Sequence, residues 1–124
     1  MKKRCKIVIK KLQIIVDLNR SITASEIWKN LPINSRCNTW GKEIYFYTSL
    51  NLDIESGAKC IIDLGEIAYW PVGNAIVIGY GKTPISIGEE IRLASDCNIW
   101  GSTNFDLEKL GEINDGDFVS IKRV

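Results

Sequence analysis

LGEIAYWPVGNAIVIGYGKTPIS, residues 64–86, contains two short apolar runs, EIAYW (66–70) and AIVIGY (75–80), on either side of Pro71 and Gly73. Runs of this length, rich in Ile, Val and aromatic residues and bounded by Gly and Pro, read as strands, and the segment between them as a turn. Working outward, EIYFYTSL (43–50) alternates Ile44, Phe46 and Thr48 with Glu43, Tyr45 and Tyr47, and LNLDIE (50–55) continues the same period. CKIVIK (5–10) and LQIIVDL (12–18) alternate likewise, which predicts strands with one buried face. Further strands are expected at KCIIDL (59–64), FVSIKRV (118–124) and a short segment near CNIW (97–100), with turns at Gly57, Gly65, Gly81, Gly88 and Asp115-Gly116.

One helix interrupts this pattern. In SITASEIWKNLP (21–32), Thr23 followed by Glu26 forms a capping box, Ile27, Trp28 and Leu31 make an apolar stripe, and Pro32 ends the element, so the helix is placed at residues 23–31. Short strands at regular spacing with one early helix predict a mostly β fold, a closed antiparallel barrel of about eight strands. No linker or low-complexity tract divides residues 1–124, which read as a single domain.

Composition narrows the function. A chain of 124 residues, 45% hydrophobic, buries roughly two thirds of its unfolded surface and needs no disulfide or metal to fold. Sixteen basic and fifteen acidic residues give a net charge of +1, without the broad positive field that drives nucleic-acid binding. Lys6, Lys10 and Lys11 break the apolar run that a signal peptide requires, and no membrane-spanning run follows, so the sequence reads as cytosolic. The basic start, from Lys2 to Lys11, is read as the outer face of an edge strand, where lysines deter pairing with other chains, in preference to an anion site. Histidine is absent, which excludes Ser-His-Asp and Cys-His catalysis and any His-ligated metal. Cys5, Cys37, Cys60 and Cys97 contain no CxxC pair, and the expected role for each is a small buried hydrophobe, with a bridge between Cys37 and Cys97 of the two heptads as the alternative. The sequence calls for no cofactor and no metal.

A heptad occurs twice, SRCNTWG (35–41) and SDCNIWG (95–101), with unlike flanks. The structural reading makes each copy a turn at a strand end, with Cys filling a small space, Trp covering a barrel end and Gly taking positive φ from equivalent positions. The alternative places Trp40 and Trp100 together in one ligand cleft.

Two strands, a capped helix and then an Arg-bearing segment resemble the opening of cyclophilins. SRCNTWGKEIYF, LGEIAYWPVGNAIVIGYGKTPIS and SDCNIWG are more closely similar to a small bacterial and archaeal cyclophilin-like family, whose members share WGxEIYF, GDIAYWPxGNA and TPxS segments. The closing EINDGDFVSIKR also fits, and Glu66 stands where that family commonly has Asp. The resemblance implies a closed barrel with a flanking helix, a pocket on one side and no assigned biochemical role. The Phe-His-Arg and Pro-Gly-Phe segments of prolyl-isomerase cyclophilins are missing from this chain.

The candidate ligand-binding residues are Arg36, Trp40, Glu43, Tyr45, Tyr69, Trp70, Asn74 and Tyr80. Glu43 and Tyr45 share one strand face, which is either the pocket, with Glu43 paired to Arg36, or solvent. Tyr69, Trp70 and Asn74 flank the Pro-Gly turn and either line a site or specify the turn. Prolyl isomerisation needs only an apolar pocket and a donor to the proline nitrogen to lower a barrier of roughly 18 to 20 kcal/mol. Arg36 is the candidate donor and catalytic residue, with Trp40, Tyr45, Trp70 and Tyr80 as walls; its other role is a surface arginine packed over Trp40. Three functions follow: a domain binding a small molecule or a Pro-containing peptide, a peptidyl-prolyl isomerase, or a protein-interaction module that forms homo-oligomers.

Overall fold

The computed structural model describes residues 2–124. The chain runs through Arg4–Ile9 (β1), Leu12–Leu18 (β2), the helix Ile22–Lys29 (α1), Ile33–Arg36 (β3), Asn38–Thr39 (β4) and Glu43–Tyr47 (β5). It continues through Lys59–Ile62 (β6), Glu66–Trp70 (β7), Ala75–Gly79 (β8), Ile91–Ser102 (β9), a 3-10 helix at Leu107–Glu112, and Phe118–Arg123 (β10). The lateral order is β3-β10-β1-β2-β9-β7-β8-β5-β4, with β6 paired separately to β9.

The two ends of this order, β3 and β4, are one piece of chain parted only by Cys37. The Cys37 N–H donates to the Asp117 carbonyl at 2.8 Å, and its own carbonyl accepts from Gly116 N–H at 2.8 Å. Asp115 Oδ1 then accepts from the N–H and hydroxyl of Thr39 at 2.7 and 2.8 Å. The sheet thereby returns on itself as a nearly closed antiparallel barrel, the fold class the sequence predicts, with ten strands in place of about eight. Ile7, Ile14, Phe46, Tyr69, Ile76 and Trp100 fill its interior, and Ala24 and Ile27 of α1 pack against them.

Several sequence expectations are corrected. The helix is capped by Ser21, whose Oγ accepts from Ala24 N–H at 3.0 Å, because Thr23 has a tertiary partner: its N–H and hydroxyl both donate to the Glu55 carboxylate. β1 pairs with β2 on one side and β10 on the other, so its lysines do not guard an edge. Residues 50–55 form no strand. Their backbone is satisfied by side chains instead: the Tyr69 hydroxyl accepts from Leu52 N–H at 3.2 Å, and Asn98 donates to the Asp53 carbonyl at 2.9 Å and accepts from Glu55 N–H at 2.8 Å. The segment near CNIW belongs to a twelve-residue strand, β9.

The two heptads do not occupy equivalent positions. The first forms the barrel seam and ends in a turn with Gly41 at φ 60. The second lies wholly inside β9, where a bulge opposite Ile67 and Ala68 sends Trp100 into the barrel core and lets its indole N–H donate to the Ala68 carbonyl at 3.1 Å. Cys37 and Cys97 are free thiols in separate apolar clusters. Among the described residues no helix is long and apolar enough to cross a membrane.

Asn98 is 2% exposed and also donates to Thr23 Oγ1 at 2.9 Å, so one side chain ties β9 to α1 and to the 50–55 loop. Removing it strands buried polar groups, so Asn98→Ala is expected to lower unfolding free energy by about 3 kcal/mol. Urea denaturation checks this: the midpoint falls with little change in slope, and a loss under about 0.5 kcal/mol contradicts it.

Candidate functional site

Strand β8, AIVIG, is buried at all five positions. Alternation sends Ile76 and Ile78 into the barrel and Val77 to the other face, where it joins a second apolar cluster with Ala68, Leu93 and Cys97. The neighbouring strands divide likewise: β5 gives Ile44 and Phe46 to the barrel while Tyr45 packs on the second cluster, and β7 gives Ile67 and Tyr69 to the barrel while Ala68 and Trp70 join the other face. The ribbon formed by β6 and the first half of β9 leans over this wall, so close that a Cβ at Gly79 would lie 2.6 Å from Ile91 Cγ2.

Where the cover stops, a cavity of about 210 Å³ remains. Trp40, Tyr45, Tyr47 and Trp70 supply its aromatic walls, and Val77, Leu93, Ala94 and Cys97 its apolar lining. The Tyr45 and Tyr47 rings meet edge to face, 5.7 Å apart at 88°. Trp70 is held by two contacts: its indole N–H donates to Ser95 Oγ at 2.7 Å, and its ring stacks so near Gly73 that a Cβ there would lie 2.3 Å away. Trp40 is placed by the turn at Gly41, where its N–H donates to the Glu43 carbonyl at 3.0 Å.

Glu43 is the one charged residue among those lining the cavity. It is 5% exposed, and its Oε1 has no hydrogen-bond partner. Desolvation penalises the carboxylate and pushes its pKa up to about 7. Burial, reinforced by the Glu43 charge, pushes the Cys97 thiol up to about 12, and that thiol donates to the Ser95 carbonyl at 3.3 Å, so it is neutral and no nucleophile near pH 7. Among the described residues no group of three or more Cys, Asp or Glu side chains is placed to hold a metal ion. A single carboxyl poised near neutrality, walled by aromatic rings, can accept a hydrogen bond from a ligand and hold an apolar body.

Of the sequence candidates, the structure brings together Trp40, Glu43, Tyr45 and Trp70. It places the other four elsewhere. Arg36 lies on β3, donates to the Gly116 carbonyl at 2.9 Å and stands 6.0 Å from the Phe118 ring; it neither lines the cavity, nor pairs with Glu43, nor packs over Trp40. β3 lies beside β5 across the seam, where the Ser35 hydroxyl donates to the Tyr47 carbonyl at 2.6 Å, but Arg36 is exposed and stands in register with Phe118 of β10. Tyr69 points into the barrel, its hydroxyl 3.2 Å from both the Leu50 carbonyl and Asn74 Oδ1. Asn74 is a turn residue at φ 53 whose carbonyl accepts from the Thr48 N–H and hydroxyl at 2.9 Å. Tyr80 is buried in the barrel cluster. Tyr47 was missed although the period of two that pairs Glu43 with Tyr45 extends to it. Leu93, Ala94 and Cys97 carry no such signal, because only the fold of β9 brings them to β5.

An antiparallel barrel capped by one early helix, with a cavity on the outer face of a wall buried on both sides, defines a class of fold. The family model for cyclophilin-like proteins matches residues 3–122, and the chain belongs to that family. The chain is similar to the solution structure of the hypothetical protein AF2241 from Archaeoglobus fulgidus, with 35% identity, 99% of this chain and 95% of that one covered, and a TM-score of 0.84. A more distant likeness, in fold alone, is to McbB, solved in complex with tryptophan: 16% identity, 96% of this chain and 44% of that one, TM-score 0.68. No curated protein matches the chain.

Folding raises the Glu43 pKa from the ordinary value of 4.5 to about 7, so its contribution to stability is complete below about pH 4.5 and is lost as pH rises through about 7. Glu43→Gln removes that dependence. Thermal or urea unfolding is expected to show the variant gaining on wild type between about pH 4 and pH 8, by about 3 kcal/mol in total. A difference that stays constant across this range contradicts the buried, unpartnered carboxyl.

Proposed function

We propose that this domain binds a small organic molecule in the cavity formed by Trp40, Glu43, Tyr45, Tyr47 and Trp70. The observation that carries the reading is Glu43: a carboxyl that lines a concavity whose other walls are apolar and aromatic, and whose Oε1 is buried without a partner. Buried polar groups in folded proteins are almost always paired, so an exception inside a cavity marks a place where the partner comes from outside. A few placed polar groups within an apolar and aromatic lining is the usual makeup of a small-molecule site. The volume of about 210 Å³ is below the roughly 300 to 1,000 Å³ of drug-sized sites, which suits a metabolite of modest size better than a peptide. McbB, similar in fold, was solved with tryptophan, a molecule of that size class, and this adds support to small-molecule binding on such a barrel. The isomerase reading has no comparable support, because Arg36 is engaged by the Gly116 carbonyl and does not line the cavity.

Ligand-observed NMR against a metabolite library tests the proposal. Wild type is expected to give saturation-transfer signals for a small set of compounds. Ala94→Trp, which fills the exposed rim of the cavity without touching the barrel core, is expected to abolish the same signals while the protein's own amide spectrum stays folded. Signals that survive unchanged in the filled variant place binding elsewhere and overturn the reading.

A further inference from the structure

Glu43 offers an acceptor that no group among the described residues satisfies, and the positive charge that would normally answer a buried carboxylate is also missing there. Among the described residues no lysine or arginine lines the cavity. The cations on the elements around it are already paired: Lys42 with Glu108 at 3.6 Å, Lys59 with Glu66 at 2.9 Å, Lys82 with Glu89 at 3.1 Å, and Arg92 with Glu90. The remaining titratable groups facing Glu43 are the phenols of Tyr45 and Tyr47 and the thiol of Cys97, all of which carry no positive charge in any state. Four aromatic rings stand around it, and ring faces attract cations more strongly once water is excluded.

We infer that the cavity is built for an organic molecule carrying a protonated amine, whose N–H donates to the Glu43 carboxylate while its apolar body packs on Trp40, Tyr45 and Trp70. The inference rests on the small-molecule reading of the same cavity and adds the ligand's chemical class. An ammonium supplies both missing elements at once, the donor and the charge. A neutral alcohol supplies the donor alone; a quaternary ammonium supplies the charge but leaves the carboxylate without a hydrogen bond; an ionised carboxylate supplies neither and meets like charge.

The pH dependence separates these classes, because an ammonium binds the ionised form of Glu43. With the free carboxyl titrating near neutrality, amine binding tightens as pH rises through that range and releases a proton from Glu43. A ligand that instead uses protonated Glu43 as a donor weakens over the same range.

Isothermal titration of the full chain with phenethylamine, 2-phenylethanol and 3-phenylpropionate tests the inference, with tryptophan emission followed in parallel. Phenethylamine is expected to bind at least about tenfold tighter than the alcohol near pH 8, and its affinity to rise more than about tenfold from about pH 5.5 to pH 8. Repeating the titration in buffers of different ionisation enthalpy should show proton release near neutrality. In Glu43→Gln, whose fold is checked by its amide spectrum, the preference of amine over alcohol is expected to vanish. Equal binding of amine and alcohol by wild type, or tighter binding of the acid at low pH, overturns the amine assignment and leaves the small-molecule reading standing. If none of the three binds or changes tryptophan emission at millimolar concentration, both fall together.

Discussion

Strand alternation in a wall covered on both faces is the constraint from which the site follows. β5, β8 and β7 have apolar matter on either side, so every residue along them is assigned either to the barrel or to the space under β6 and β9. Ile44 and Phe46 go into the barrel, and that choice sends Glu43, Tyr45 and Tyr47 outward together. A slip of one residue in β5 would drive a carboxylate into the barrel core and expose Phe46, so the register that keeps the core apolar is the same register that builds the cavity. The seam at Cys37 and the turn at Gly41 hold that register from one end, pairing Thr39 with Ile44 and Asn38 with Tyr45.

Two of the buried polar side chains, Asn98 and Glu43, show opposite solutions to the same problem. Asn98 meets its need entirely from the protein, with Thr23, Asp53 and Glu55 as partners, and welds a strandless loop and a helix to β9. Glu43 has the same degree of burial and none of those partners for Oε1. A fold that satisfies a buried amide so completely has the means to pair a carboxyl as well. That contrast within one chain is what distinguishes a structural polar group from one held in readiness for a ligand.

Much of the architecture was legible because it rests on local pattern. Alternation in CKIVIK, LQIIVDL, EIYFY and FVSIKR and the turn residues between strands place most of the barrel, and the one α-helix is displaced by a residue or two because Glu55, far away in sequence, engages Thr23. The failures share a cause. Residues 50–55 alternate like a strand, yet long-range partners from Tyr69 and Asn98 satisfy their backbone in another way. Half of the candidate site was readable for the same reason: Glu43 and Tyr45 are related by strand period, and Trp40 and Trp70 stand beside turns. Arg36 was misplaced because nearness to Glu43 in sequence does not reveal which way its side chain turns: on β3 it is exposed and donates to the Gly116 carbonyl. Tyr69 and Asn74 cluster in sequence with Trp70, but alternation turns Tyr69 inward and the turn consumes Asn74.

All of this converges on the state of one carboxyl group. Its titration can be followed directly by NMR of the side-chain carboxyl carbons in protein labelled at glutamate, with the Glu43 resonance assigned by its absence from the Glu43→Gln spectrum. A midpoint near 7 is expected in the free protein, set apart from the other glutamates. A Glu43 midpoint in the ordinary carboxylate range near 4.5 would mean that the group is solvated or paired, and would contradict the site described above.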